Sequence, residues 1–507
     1  MTTAVTTQTT AARERLGKPQ GGSELGALGL TAVLISYALQ VLNFFVVTVA
    51  LGSLETDLRA SASVLELVVA GFGVAYASTV VLGGRLGDNL GRRRVLRVGL
   101  VWFGAASVWC ALAPSAGLLV AGRVAQGLGA ALVAPQVLST IQARTEGANR
   151  ARAMAWFGAM AGIATCVAFI AGGALISADP GGLGWRAAFW LDVPLVLAAL
   201  IAQRWVPESR AERPQRADVV GTALLALAVV LVILPLTEGR AAGWPWWTWL
   251  MLAACVPVLG SFVAWESGME RRGRDALVPP SLVRTRVMVA GLAVTAIFFT
   301  VFGGFMFVFA LVAEVAAGMG PLGIGWTLTP FALTFLGASL LGSRAVQRDP
   351  VGLMQRGAVT AAVGLAALGV ALLATWPDFT SWQLALPLLV LGAGQGMLVV
   401  PLLGTILGGV PAHHAGMGGG VLITTMQMAL GLGSALVGTV FLQLGGATGS
   451  VGPVEVVLGA SVVLVLVTAV VAGRLRPREG TVQRSAGVPA EVSAPSSTEE
   501  RAGTMAG

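Results

Sequence analysis

Apolar stretches of about 20 residues, parted by short polar loops, recur along nearly the whole of this 507-residue chain, and that recurrence narrows the possible folds more than any motif does. Hydrocarbon offers no water to backbone N–H and C=O groups, so a crossing segment must satisfy them internally as a helix or within a closed barrel. Barrel strands read as short segments of alternating polarity. Here the runs are unbroken, at 28–50, 63–83, 95–113, 117–139, 153–177, 187–205, 219–237, 246–265, 287–312, 322–343, 355–376, 383–409, 416–443 and 453–473. The expectation is an all-α polytopic membrane protein with about fourteen transmembrane helices. Charged residues make up only 11% of the chain. Soluble domains carry about a quarter, so a soluble fold is excluded.

The loops orient these runs. Arg13, Arg15 and Lys18 precede the first. Every second loop then carries arginines, as in Arg85/Arg92/Arg93/Arg94, Arg144/Arg150/Arg152, Arg210/Arg213/Arg216, Arg271/Arg272/Arg274 and Arg344/Arg348, and Arg474, Arg476 and Arg478 follow the last run. The intervening loops hold little beyond Arg59, Arg186 and Arg240. By the positive-inside rule both termini are cytoplasmic and the protein sits in the plasma membrane. The net charge of +8 is then a matter of topology, and no nucleic-acid partner is expected. Residues 1–27 read as a retained cytoplasmic tail, and 475–507, rich in Ser, Pro, Gly and Glu, as a disordered one. Cys110, Cys166 and Cys255 fall inside apolar runs with no metal-ligand spacing, and no metal or cofactor is expected.

The chain also repeats itself. "AALVAPQVLSTI" (130–141) in the fourth run is echoed by "GMLVVPLLGTIL" (396–407) in the twelfth, and "GSRAVQRDPVGLMQR" (342–356) is a faded copy of the basic loop after the second run. Repeated halves point to a transporter with its site at their interface. The organisation expected is a six-helix half at 28–205, a two-helix insert with linkers at 206–286, and a second six-helix half at 287–474.

The basic loop itself, "GGRLGDNLGRRRVL" (83–96), resembles the cytoplasmic loop motif of the major facilitator superfamily, with the match on Gly84, Asp88, Gly91, Arg92, Arg93 and Arg94. The arginines alone would serve as a positive-inside anchor. A charge-linked gate also accounts for Asp88 and for glycines that permit a tight turn. Three further stretches resemble the fourteen-helix drug:proton antiporter branch of that superfamily. They are "GRVAQGLGAALVAP" (122–135) with Arg123, Gln126 and Gly127, "GWRAAFWLDVP" (184–194), and "HAGMGGGVLITTMQMALGLGSALVGTVF" (414–441) with Gly416, Gln427 and Gly433. The resemblance implies the major facilitator fold, two six-helix halves plus two central helices, and export of small molecules against protons.

Two departures bear on the mechanism. The branch carries an aspartate in its first helix where "LNFFVVTVALGSL" (42–54) has Asn43, and a proline where it has Gly52. Asparagine donates and accepts hydrogen bonds but does not titrate, so Asn43 is no proton carrier. The branch's fifth-helix Gly-Pro-x-x-Gly-Gly is here "AFIAGG" (168–173). Gly172 and Gly173 suit close helix packing, and Phe169 either narrows a cavity or stacks on a ligand. Arg123, deep in an apolar run, either meets an anionic substrate group or is satisfied by Gln126, water and carbonyls. Glu314 is the leading proton-coupling candidate, or else an interfacial glutamate reaching water; Glu66 and Asp192, nearer helix ends, rank below it. Asn43, Phe45, Arg123, Gln126, Phe169 and Gln427 are the candidate cavity residues, with Tyr37, Tyr76, Phe44, Gln136 and Gln395 as further contributors. The His413–His414 pair is a possible pH sensor or simply a solvated loop.

The function expected is a secondary active exporter of amphipathic small molecules such as antibiotics, working as a monomer by alternating access in exchange for protons. An uncoupled facilitator or importer, or a ligand-binding sensor, is the alternative. Neither a phosphate loop nor a His-Glu-x-x-His or Gly-x-Ser-x-Gly motif is present, so no enzyme is expected.

Overall fold

Among the described residues fourteen helices are long and apolar enough to cross a bilayer, and no strand occurs. The computed structural model describes residues 24–210, 218–274, 276–346, 348–410, 415–446 and 450–476. Nearly all of both expected tails, the His413–His414 pair and the side chain of Glu66 lie outside them. In chain order the first four crossings are α1 (Ala27–Val49), α2 (Ala62–Leu90), α3 (Arg92–Ala111) and α4 (Ala116–Arg144). The fifth, α5, runs Gly147–Val167, then through a π turn at Ala168–Gly172 into Gly173–Ala178. The sixth, α6, is assembled from Arg186–Trp190, Asp192–Ala202 and a closing turn Gln203–Trp205. The central pair is α7 (Val219–Ala241) and α8 (Trp246–Arg271). Then come α9 (Arg286–Val315), α10 (Pro321–Val346), α11 (Pro350–Thr375), α12 (Ser381–Gly408), α13 (Ala415–Gln443) and α14 (Gly452–Ala472).

Local chemistry sets several of the ends. Ser115 Oγ accepts from the Leu118 N–H (3.4 Å) at the head of α4, and Thr285 Oγ1 accepts from Met288 (3.3 Å) at the head of α9. Asp349 accepts from the Gly352 N–H (2.8 Å) just ahead of Pro350, whose missing N–H is not needed at a first helical position. Thr380 and Gln383 make a reciprocal capping box on α12. Between α2 and α3 the chain turns at Gly91, with φ 103° and ψ 128°.

The packing repeats. In the first half α2 lies on α4, α3 on α4 and α6, and α1 on α5 and α6. In the second half α10 lies on α12, α11 on α12 and α14, and α9 on α13 and α14. Every pair recurs eight helices later, so the halves are copies of one arrangement, and each keeps an intrahelical proline at the same place in the repeat, Pro135 and Pro401. They meet along α2–α13 and α5–α10, while α7 lies against both α2 and α13, and α8 packs on α7.

Small residues let the helices close in. Gly127 faces the Phe72 carbonyl, where an added Cβ would come within 2.9 Å of Ala75 Cβ. Gly392 and Gly396 face the Phe331 and Phe335 carbonyls in the equivalent α10–α12 contact. Gly172 lies against the Val46 side chain between α1 and α5, and Gly173 beside it is buried.

Candidate functional site

A cavity lies where the halves meet, walled by α1, α2, α4 and α5 on one side and α9, α10, α12 and α13 on the other. Its wall is aromatic. Tyr37 stacks on Phe157 at 4.2 Å, Phe302 stacks on Phe298 at 6.2 Å and on Phe331 at 6.3 Å, and Phe45 crosses between the halves to meet Phe302 edge-on at 6.0 Å. Gln40, Gln395 and Gln427 supply polar groups, and the carbonyl oxygens of Gln40 and Gln395 are buried without a partner. No acidic or basic side chain lines the cavity among the described residues. Such a wall suits flat, largely apolar molecules that carry a few hydrogen-bond donors.

The lining runs from mid-depth toward the arginine-rich helix ends, as Met154 in α5, Leu138 in α4 and Leu407 in α12 indicate. At the opposite ends one buried apolar cluster joins Val46, Val49, Leu54 and Phe169 of the first half to Val308, Val312 and Ile324 of the second. On that side the halves touch, with Gly325 of α10 against the Phe169 carbonyl of α5.

Of the six cavity candidates, Phe45 and Gln427 line the cavity, while Asn43, Arg123, Gln126 and Phe169 do not. Phe169 stands behind the wall, edge-on to Phe45 at 5.4 Å, within the π turn at Ala168–Gly172. The other three belong to a separate buried cluster. Arg123, fully buried, donates to Asn43 Oδ1, to Gln126 Oε1 (2.8 Å) and to the Val68 carbonyl (3.0 Å). Asp192, also fully buried, accepts at Oδ2 from Asn43 Nδ2 (2.7 Å), Ser107 Oγ (3.0 Å) and Gln126 Nε2 (3.2 Å). The sequence ranks Asp192 low for its place near a helix end, but α1, α3 and α4 close over it there. The guanidinium lies 4.6 Å over the Phe72 ring, which does line the cavity.

Glu314 is half-buried on the last turn of α9 and not in the cavity wall. Its carboxylate occupies the space that a side chain at position 52 would need, so Gly52 and Glu314 are matched across the halves.

In the basic loop, Asp88 pairs with Arg92 (2.8 Å), and Arg92 also donates to the Ser139 carbonyl (3.2 Å). Glu208, from the segment after α6, accepts from the Arg93 N–H (3.1 Å), while its own carbonyl accepts from Arg144. Arg94 is exposed. The tight glycine contacts fall at Gly83, against the Ala131 carbonyl, at Gly87, against Gln136, and at Gly91, against Glu208, whereas Gly84 has ordinary clearance. Arg85 reaches the Ala276 carbonyl in the linker before α9, which ties the central insert to this loop.

Much of the cavity wall escaped the residue-by-residue reading. The signal was there in "FFTVFGGFMFVF" (298–309), which packs six of the 18 phenylalanines into one run. Phe298, Phe299 and Phe302 from it face the cavity.

The Major Facilitator Superfamily family model matches residues 33–434. The probable actinorhodin transporter of Streptomyces coelicolor is 35% identical over 424 residues, covering 83% of this chain and 73% of that protein. The tetracenomycin C resistance and export protein of Streptomyces glaucescens is 30% identical, with 81% and 74% covered. Among solved structures the human organic anion transporter MFSD10 matches with a TM-score of 0.63 at 17% identity, over 88% of this chain and 99% of that one, a likeness of fold.

Proposed function

We propose that this chain, which belongs to the Major Facilitator Superfamily of membrane transporters, is a monomeric plasma-membrane exporter. Its cargo is uncharged, aromatic, amphipathic small molecules of the antibiotic kind, moved outward in exchange for protons. The observation that carries the reading is the uncharged aromatic cavity at the junction of the two halves. Relatives named for actinorhodin transport and tetracenomycin C export support the direction and the class of cargo.

Both termini are taken as cytoplasmic, so the cavity reaches toward the cytoplasm and the apolar cluster seals the outer side. Export then runs as a rocking of the halves about the cavity. Cargo enters from the cytoplasmic side, the outer seal opens as the inner ends close, and the Asp88–Arg92 pair with its Glu208 clasp makes and breaks in step.

The test is accumulation of a panel of cationic, neutral and anionic aromatic drugs in an efflux-deficient host, with and without a protonophore. Lower accumulation of neutral compounds, reversed by the protonophore and weakened by Phe302→Ala, is the expected result. Unchanged accumulation across the panel would overturn it, as would ATP-driven flux by the purified protein alone.

A further inference from the structure

We propose that Asp192 is the carboxylate that binds and releases the exchanged proton, held in a cage of Asn43, Ser107, Gln126 and Arg123. The inference rests on the proton-driven export proposed above and assigns its coupling site.

Asp192 sits six residues into α6, about 9 Å from the helix end at the helical rise. There it is fully buried; one oxygen has three donors and the other, Oδ1, has none. A carboxylate kept permanently ionised at that depth is costly unless both oxygens are served. One kept permanently neutral would leave the Arg123 cation unmatched, and Arg123 already has an unpartnered Nη2. The cluster is therefore incompletely satisfied in either single protonation state.

The wiring between the two charges matters more than their presence. No salt bridge joins Arg123 to Asp192 among the described residues. Two amides lie between them, both facing the same way. Asn43 and Gln126 each turn oxygen toward the guanidinium and NH2 toward the carboxylate. A direct Arg–carboxylate contact would clamp the carboxylate in its ionised form. Interposed neutral amides transmit orientation while weakening that clamp, which leaves the carboxylate free to take up a proton. The titratable groups facing the cluster are Arg123 from α4 and Cys110 from α3; α1 carries no charged residue.

The cycle needs one proton, taken up at Asp192 when the site communicates with the outside and released to the cytoplasm when the halves have rocked back. Neutralising Asp192 withdraws the charge opposite Arg123, whose guanidinium rests on Phe72 in the cavity wall. One side chain thus links the protonated cluster to the cargo.

The experiment uses the purified full chain in proteoliposomes with the most strongly exported compound of the drug panel. It measures uptake driven by a pH gradient and, separately, cargo counterflow at equal pH. Asp192→Asn should lose gradient-driven uptake by about tenfold or more yet retain counterflow, as expected for a lost proton site. The exchange variant Asn43→Asp/Asp192→Asn keeps one carboxylate within the cage but sets it directly against Arg123, so it should run counterflow and still lack gradient drive. If Asp192→Asn alone does not fold, this variant decides: counterflow without gradient drive supports the assignment, and full gradient drive overturns it. Gradient-driven uptake that persists in Asp192→Asn and disappears in Glu314→Gln would overturn it in favour of Glu314. A wild-type protein that performs counterflow but ignores the pH gradient would overturn the proton-driven reading itself.

Discussion

Gly91 holds φ 103° and ψ 128° between two long helices, a conformation that a side chain resists, and a Cβ there would also lie 2.7 Å from Glu208 Oε1. Gly91→Ala is expected to cost about 1–3 kcal/mol and to loosen the Glu208 clasp, read as a lower melting temperature of the purified protein. At the other face Asp57 accepts from Trp185 Nε1 (2.8 Å) and Arg186 Nη1 (2.6 Å). Those two hydrogen bonds hold its carboxyl below the usual carboxylate range. A lowered folded value stabilises above the unfolded one, near pH 4, and that stability is lost as the pH falls through the folded value. Asp57 is half exposed, so solvent screening leaves about 0.5 kcal/mol or less. Asp57→Asn should be slightly less stable at pH 7, with the difference from wild type vanishing in acid, in melting curves taken from pH 7 down to 3. Both residues show what a motif leaves out: the string "LGRRR" locates the turn, but Glu208, more than a hundred positions away, closes it.

The helices were legible to a degree the site was not. A bilayer forces one solution on a long apolar run, so fourteen runs become fourteen helices with ends displaced by a few residues. Side-chain facing has no such constraint when every face is apolar. Phe45 and Phe169 were equal candidates in the sequence, and only the α1–α5 packing sends one into the cavity and the other behind it. The full burial of Asp192 was hidden for the same reason, because depth along a helix says nothing about what lies alongside. Paired helices also differ in what they tolerate. Gly172 faces the Val46 side chain, whereas Gly433, in the matching α9–α13 contact, faces the Thr300 carbonyl. A side chain can yield and a hydrogen-bonded backbone cannot. Gly172→Leu should therefore cost about 1–3 kcal/mol and Gly433→Leu more, compared by thermal unfolding in detergent.

At the scale of the molecule, export by rocking requires the halves to change distance at the cavity. Gly158 in α5 and Val400 in α12 touch across the junction of the halves, with a Cβ built on Gly158 lying 4.0 Å from Val400 Cβ, a separation a disulfide accepts. In a background free of Cys110, Cys166 and Cys255, Gly158→Cys with Val400→Cys should lose transport on oxidation and regain it with reductant. Undiminished transport by the oxidised pair would argue against rocking at this contact. The two lines along which the halves meet are also unlike each other. Helix α7 overlies the α2–α13 line with α8 outside it, while no extra helix among the described residues covers α5–α10, where Gly162 lies against Leu336. Lipid tails thus meet a molecule with one flank two helices deep and another left bare.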